Sequence, residues 1–456
     1  METSNRIDVA RIINDARISL FQWRTFVLLG IVNMLDGYDT QTIAFVAPDI
    51  AHAWKLGPTS FGPIFSAGLL GSVIGAVLLG MLADRIGRRV LVISSVAMFG
   101  VLTWVCAAAT TYNELLLMRL LAGIGLGGAL VNFLALGSEY APARVRMTVI
   151  TVSMWGFPMG AVIGGAFAGR MIEHYGWPSV FHIGGILPLL CVPLLAALLP
   201  ESVRYMTLSG GHRDKMASIL SRIDPARVFG PSDTFFVAEP QVSRGSAAAL
   251  FRNGLGIGTV LLWLTLFSSL VLTYCLINWI PLLLRQVGLS REHAVLGTVV
   301  LNFAGIVGSL LISRIMARHP LRKLAASYVL GAFAVAATGL AGRSFYPIMT
   351  CIFLSGFFVI GAQLAVTAYI ADYYPTAIRG TGVGYSQGVG RFGSLVGPLA
   401  GGVVLSITAQ PSQMFLFCAI PALAAALALL FLAHATALSA NAALSGLQAS
   451  PYHRHR

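Results

Sequence analysis

Apolar runs close to 20 residues long recur along the entire chain, and no other feature narrows its fold as far. A helix needs about 20 residues to cross the hydrocarbon core of a bilayer. Twelve such runs stand near 24–47, 61–82, 89–109, 114–138, 147–170, 179–199, 256–284, 293–316, 322–341, 345–371, 379–407 and 413–434. Composition agrees: 57% of the 456 residues are hydrophobic and 10% are charged, where a soluble protein carries about 25% charged residues. The expectation is an all-α membrane protein with twelve transmembrane helices.

The first 24 residues hold Arg6, Asp8, Arg11, Asp15 and Arg17 without an apolar core, so they do not read as a cleavable signal peptide. Five cysteines, Cys106, Cys191, Cys275, Cys351 and Cys418, fall singly inside apolar runs and form neither a disulfide framework nor a metal spacing. The formal charge of +13 is explained by topology. Of 30 Lys and Arg residues, 23 fall on the face that holds both termini, five fall on the other face, and Arg119 and Arg391 lie inside spans. The positive-inside bias then makes both termini and the polar segment 200–255 cytoplasmic. No nucleic-acid partner is needed to account for the charge.

The chain also repeats itself. The stretch I-G-A-V-L-L-G-M-L-A-D-R-I-G-R-R from Ile74 aligns with V-G-S-L-L-I-S-R-I-M-A-R-H-P-L-R from Val307, an offset of 233 that pairs Gly75 with Gly308 and Arg85 with Arg318. The same offset pairs Glu139 with Asp372, Arg146 with Arg379, Gly160 with Gly393 and Gly164 with Gly397. A parallel duplication of this kind gives two pseudo-symmetric six-helix bundles. The expected division is 1–199 for the first bundle, 200–255 for a cytoplasmic central loop and 256–456 for the second bundle. The copies differ where chemistry is concerned: Asp36 and Asp39 correspond to Ser269 and Leu272, Asp84 to Ala317, and Pro158 to Arg391.

Charges inside spans need a reason. Asp36 and Asp39, in L-D-G-Y-D-T, lie three residues apart and share a helix face with Asn33 and Thr40 nearby. Each costs about 2.5–3.5 kcal/mol at a helix centre on insertion scales, so that face must meet water or a partner. A carboxylate that takes up and releases a proton in a cavity suits a proton-driven carrier; an ion pair locking two helices is the other reading. Arg119, in L-L-L-M-R-L-L-A-G-I-G-L-G-G, is either a charge that tunes those acids or their locking partner. Arg391, in G-Y-S-Q-G-V-G-R-F-G, has no evident acid on the spans of its own copy. Its planar fork suits a carboxylate, either a substrate anion or one of the two aspartates. Tyr38, Trp155, Tyr274, Asn278, Tyr385 and Gln387 are candidates for the remaining walls of a substrate site, alongside Trp279 and Gln363.

G-M-L-A-D-R-I-G-R-R, from Gly80 to Arg89, resembles the second-to-third loop signature of the major facilitator superfamily. The Arg119 glycine stretch is similar to that superfamily's fourth-span motif, and P-E-S-V-R-Y-M resembles its sugar and organic-ion element. L-D-G-Y-D-T resembles the first-span signature of the aromatic acid:proton symporter family. The resemblance implies proton-coupled uptake (symport) of an aromatic carboxylate such as a hydroxybenzoate, by alternating access, across a bacterial inner membrane. It implies coupling roles for Asp36, Asp39 and Arg119, and gate roles for Asp84, Arg85, Arg88, Glu139 and Arg379. The expected partners are a small aromatic anion, protons and the lipid bilayer; the expectation is a carrier that works as a monomer and without a cofactor. The antiporter pattern G-x-x-x-G-P-x-x-G-G stands in span eleven rather than span five, which ranks drug/proton antiport second and facilitated transport of sugars or organic ions third. A transporter-like nutrient receptor is the non-transport alternative. No metal cluster, nucleophile–base pair or phosphate loop supports an enzyme.

Overall fold

Backbone polar groups have no water to bond in hydrocarbon, and a helix satisfies them within each segment. The computed structural model describes residues 6–210, 212–227, 229–230, 233–237, 247–252, 254–316, 319–375, 378–408 and 410–448. Ala317 and Arg318 of the repeat lie outside them. The helices are α1 (Val9–Asp15), α2 (Leu20–Ala53), α3 (Phe61–Ile86), α4 (Arg88–Cys106), α5 (Tyr112–Tyr140), α6 (Arg146–Met154), α7 (Gly156–Tyr175), α8 (Pro178–Leu198), α9 (Val203–Ser209), α10 (Arg213–Ile223), α11 (Gly256–Val287), α12 (Arg291–Ile315), α13 (Pro320–Leu340), α14 (Phe345–Ser355), α15 (Gly361–Tyr373), α16 (Arg379–Thr408) and α17 (Pro411–Gln448). Eleven spans among the described residues pass on length and hydropathy, and twelve are reached when α1 and α2, bent by 96°, count together. The fifth span is α6 with α7. The ninth is α14 and α15, joined by a π-helical turn at Gly356–Ile360.

Local signals set the helix starts. Ser19 caps α2 in a box with Gln22: the Gln22 amide donates to Ser19 Oγ at 3.3 Å, and the Ser19 amide donates to Gln22 Oε1 at 2.9 Å. Thr111 and Glu114 do the same for α5. Each box satisfies donors that a helix start leaves orphaned. Gly87, at φ 96°, makes the sharp turn between α3 and α4 that a residue with a Cβ resists.

Two compact units form, the first from Met1–Gln241 with Ile277–Asn302, the second from Val242–Leu276 with Phe303–Arg456. Within the first, α3 and α5 touch backbone to backbone: a Cβ on Gly75 would overlap the Ile124 carbonyl. Within the second, a Cβ on Gly308 would overlap the Phe357 carbonyl, the same contact displaced by 233 at both residues. Gly160 against Met34 is likewise repeated as Gly393 against Phe267. The duplication therefore reaches individual packing contacts. The ends of α11 and α12 that belong to the first unit are held by an edge-on Phe65–Trp279 pair, 5.3 Å between centroids. Gln41 and Asn302 exchange side-chain hydrogen bonds of 3.3 and 3.0 Å, and Arg291 pairs with Asp49.

The segment after the sixth span is more ordered than its polar average suggests. Met216, Leu220 and Ile223 on α10 are buried at i, i+4 and i+7, and join one apolar core with Val9, Ile12 and Ile13 of α1. Two short strands, β1 (Arg6–Asp8) and β2 (Thr234–Phe236), pair in parallel beside them. The fold is thus nearly all-helical, and these six residues are the strand residues among those described.

Candidate functional site

Asp39 is completely buried, and Arg119 is 2% exposed. One guanidinium nitrogen of Arg119 reaches both Asp39 carboxylate oxygens, at 3.2 and 3.3 Å, and another donates to the Asp39 backbone carbonyl at 3.1 Å. The Thr103 hydroxyl donates to the same carboxylate. Gly68 lies against the guanidinium, where a Cβ would be in ordinary contact with it at 3.6 Å. Neither charge could stay in a dry interior without such compensation. Arg119 thus forms an ion pair, and its partner is Asp39. Asp36, 6% exposed, accepts from the Thr40 hydroxyl at 3.2 Å. Thr103 escaped the sequence reading because nothing in its own surroundings marks it; only the fold brings α4 beside α2.

The second unit carries Arg391 on α16, half-buried, and no carboxylate among the described residues pairs with its guanidinium. Gly384, Gly388 and Arg391 share one helix face by their i, i+4, i+7 spacing. A Cβ on either glycine would meet nothing within 4 Å, so the approach along that face is open. Gln387 is half-buried on the same helix. Tyr385, 47% exposed, stacks on Trp263 with centroids 6.2 Å apart. Tyr274 is half-buried against the core of this unit.

Other sequence candidates lie elsewhere. The Tyr38 hydroxyl donates to the Val180 carbonyl at 2.9 Å, and its ring lies against Gly164 and Gly184. That ring floors an apolar cleft of about 490 Å³ among α2, α7 and α8, with Ile163, Phe167 and Leu187 in its walls. Trp155 stands half-buried at the joint of α6 and α7. Asn278 is buried in the part of α11 that belongs to the first unit.

The gate candidates converge in part. Arg88 pairs with Glu139 at 3.0 Å, and both are mostly buried, at 15% and 13% exposure. Its contact with Asp84 is longer, 3.9 Å, and Asp84 is 74% exposed. Ser202 donates to Glu139 at 2.6 Å, and the Arg89 amide donates to Glu201 at 3.0 Å. The P-E-S stretch therefore latches onto the ends of α4 and α5, a role that its sequence alone did not assign to Glu201 or Ser202. Arg85 and Arg379 are exposed.

The profile of the Major Facilitator Superfamily matches residues 29–342 and 262–453. A gallate transporter of Pseudomonas putida is 38% identical over 431 residues, 94% of this chain and 96% of that protein. The 4-hydroxybenzoate transporter PcaK of Acinetobacter baylyi is 37% identical over 93% of each. The inward-open xylose transporter XylE from E. coli superposes with a TM-score of 0.70 at 16% identity, covering 89% of this chain and 95% of that one. With its helices, its duplicated packing and these relatives together, the chain belongs to the Major Facilitator Superfamily and is a multi-pass membrane transporter, not an enzyme.

Proposed function

We propose that the protein takes up an aromatic carboxylate together with protons, by alternating access, across a bacterial inner membrane with both termini in the cytoplasm. The observation that carries this reading is the contrast between the two arginines inside spans. Arg119 is neutralised by Asp39, whereas Arg391 has no carboxylate partner among the described residues. A guanidinium held open in this way suits bidentate capture of a carboxylate. The aromatic acids transported by the gallate and 4-hydroxybenzoate relatives carry that group. The working divisions are 1–199 and 256–456 as the two six-helix halves and 200–255 as the central segment, in one functional monomer.

Asp36 and Asp39 answer the energetic problem of the cargo. A monoanion entering alone moves against a negative-inside potential at roughly 2.3 kcal/mol per 100 mV. One proton makes the cycle electroneutral, and two let the potential drive it. Protonating an aspartate also removes a negative charge that repels the anion, so proton and substrate binding favour each other.

The test is uptake of labelled 4-hydroxybenzoate by proteoliposomes with an imposed inward proton gradient. Accumulation that collapses with a protonophore, and that Asp36→Asn abolishes while counterflow survives, is the expected result. Acidification of the medium on adding substrate would indicate antiport. Gradient-dependent accumulation by Asp36→Asn would remove that residue from the coupling role.

A further inference from the structure

Two buried sulfurs meet in the second unit. Cys275 on α11 and Cys418 on α17 are 5% and 6% exposed, and their Sγ atoms stand 3.1 Å apart, one thiol donating to the other. They lie 143 positions apart in the chain, so local spacing gives no hint of the pair. The fold closes it. Leu266 and Leu270 of α11 share a buried core with Ala425 and Leu429 of α17. On α16, a Cβ on Gly397 would overlap the Val271 carbonyl and stand 3.2 Å from the Cys275 amide nitrogen, so the α11 backbone is pinned at this turn. The sulfurs of a disulfide are about 2.05 Å apart, about 1 Å closer than these two. Cys106, Cys191 and Cys351 have no thiol partner among the described residues.

The first copy of the repeat does without this pair. At the offset of 233, Cys275 and Cys418 correspond to Thr42 and Gly185. The Thr42 hydroxyl donates to the Tyr38 carbonyl one turn back at 2.9 Å, and a Cβ on Gly185 would overlap Trp104. The duplicated fold therefore needs no sulfur at either position. The place of the pair matters as well. Helix α11 belongs to the second unit through Leu276 and to the first from Ile277, so Cys275 lies in the last turn before the change.

We propose that Cys275 and Cys418 are a modification site that a lipid-soluble hydroperoxide converts to a disulfide, tying α11 to α17 and slowing transport reversibly. One sulfur attacks the peroxide: an S–O bond forms, the O–O bond breaks, and an alcohol leaves with the thiol proton. The second sulfur attacks the resulting sulfenic acid: the S–S bond forms, the S–O bond breaks, and water leaves. Two thiols and one hydroperoxide thus give one disulfide, one alcohol and one water, with two electrons passing from sulfur to oxygen. A thiol already in contact captures the sulfenic acid before it oxidises further. Burial among apolar helices admits an oxidant that dissolves in hydrocarbon and excludes a charged one. The effect on transport rests on the alternating-access reading above, in which α11 must give where it passes from one unit to the other. A covalent tie in the preceding turn resists that.

The test treats the protein in proteoliposomes with cumene hydroperoxide, counts free thiols after denaturation and maps linked peptides by mass spectrometry. The count should fall from five to three, with Cys275 joined to Cys418. Vmax for labelled 4-hydroxybenzoate should fall at least about fivefold, as a slowed conformational step becomes limiting, and tributylphosphine should restore it to within about twofold. Cys275→Ser and Cys418→Ala, each of which leaves a single thiol at the site, should keep their untreated Vmax under the same treatment. A count that stays at five, a different linked pair, or sulfinic acid at either residue would overturn the site. A disulfide that leaves Vmax unchanged, or an equal loss in the two variants, would overturn its effect on transport. If untreated wild-type protein takes up no 4-hydroxybenzoate, the functional reading itself fails instead, and the thiol count still decides whether the bond forms.

Discussion

Replacing Asp39 by asparagine tests the buried pair most directly. The substitution keeps the shape and leaves Arg119, 2% exposed, with a neutral acceptor in place of its counter-charge. Removing one partner of a buried pair costs about 3–5 kcal/mol, because the surviving charge stays desolvated. The first unit is near the size at which 1 kcal/mol shifts the midpoint by about 2–4 °C, so Asp39→Asn should unfold roughly 6–20 °C below wild type in detergent. An exposed pair provides the contrast: Arg170 and Glu292, 3.8 Å apart with 81% and 53% of their side chains exposed, should contribute less than about 1 kcal/mol. Glu292→Gln should therefore leave the midpoint almost unchanged. Replacing both buried partners, as Asp39→Leu/Arg119→Leu, removes the stranded charge and should recover most of the loss. An Asp39→Asn midpoint within 2 °C of wild type, or a double variant less stable than either single one, would refute the argument.

Three further outcomes follow from the geometry. Glu139→Gln should cost about 1.5–3 kcal/mol, as its ion pair with Arg88 is mostly buried; Asp84→Asn, at an exposed and longer contact, should leave the melting midpoint alone and slow transport without weakening substrate binding. Arg391→Ala should raise the KM for 4-hydroxybenzoate uptake about 10- to 100-fold, the loss of a charged hydrogen bond, and Arg391→Lys should recover only part because lysine has no planar fork. Gly75→Val should abolish accumulation of protein in the membrane, measured by immunoblot, because its side chain would enter the Ile124 carbonyl, and Gly308→Val should do so against Phe357.

The spans were legible because hydropathy is a local property and a bilayer enforces it at every residue. The first span shows where that signal thins: Asn33, Asp36, Asp39 and Gln41 dilute α2, which passes the hydropathy test only together with α1. The offset of 233 was equally plain, and it carried through to contacts such as Gly160 with Met34 and Gly393 with Phe267. Pairing was another matter. Asp39 and Arg119 could both be named, but that the pair closes depends on α5 packing beside α2 and on α4 bringing Thr103 alongside, neither of which has a local mark. The α10 face was hidden by its charged neighbours, although Met216, Leu220 and Ile223 carry the helical spacing. Tyr38 looked like any aromatic near the acids until the fold spent its hydroxyl on Val180.

The way β1 and α1 are held has a consequence for biosynthesis. Strand β1 is among the first segments made, yet its partner β2 is not translated until residue 236, after six spans. Asp49, Gln41 and Phe65 wait longer still, since Arg291, Asn302 and Trp279 come from the seventh and eighth spans. At roughly 5–20 residues per second, the roughly 60 residues between 241 and 302 take about 3–12 s to emerge. For that interval six inserted helices carry Asp49 without its arginine and Gln41 without its amide. The earliest half of the chain is thus completed only by segments of the later half, and a fragment ending at residue 241 would keep that nascent surface permanently.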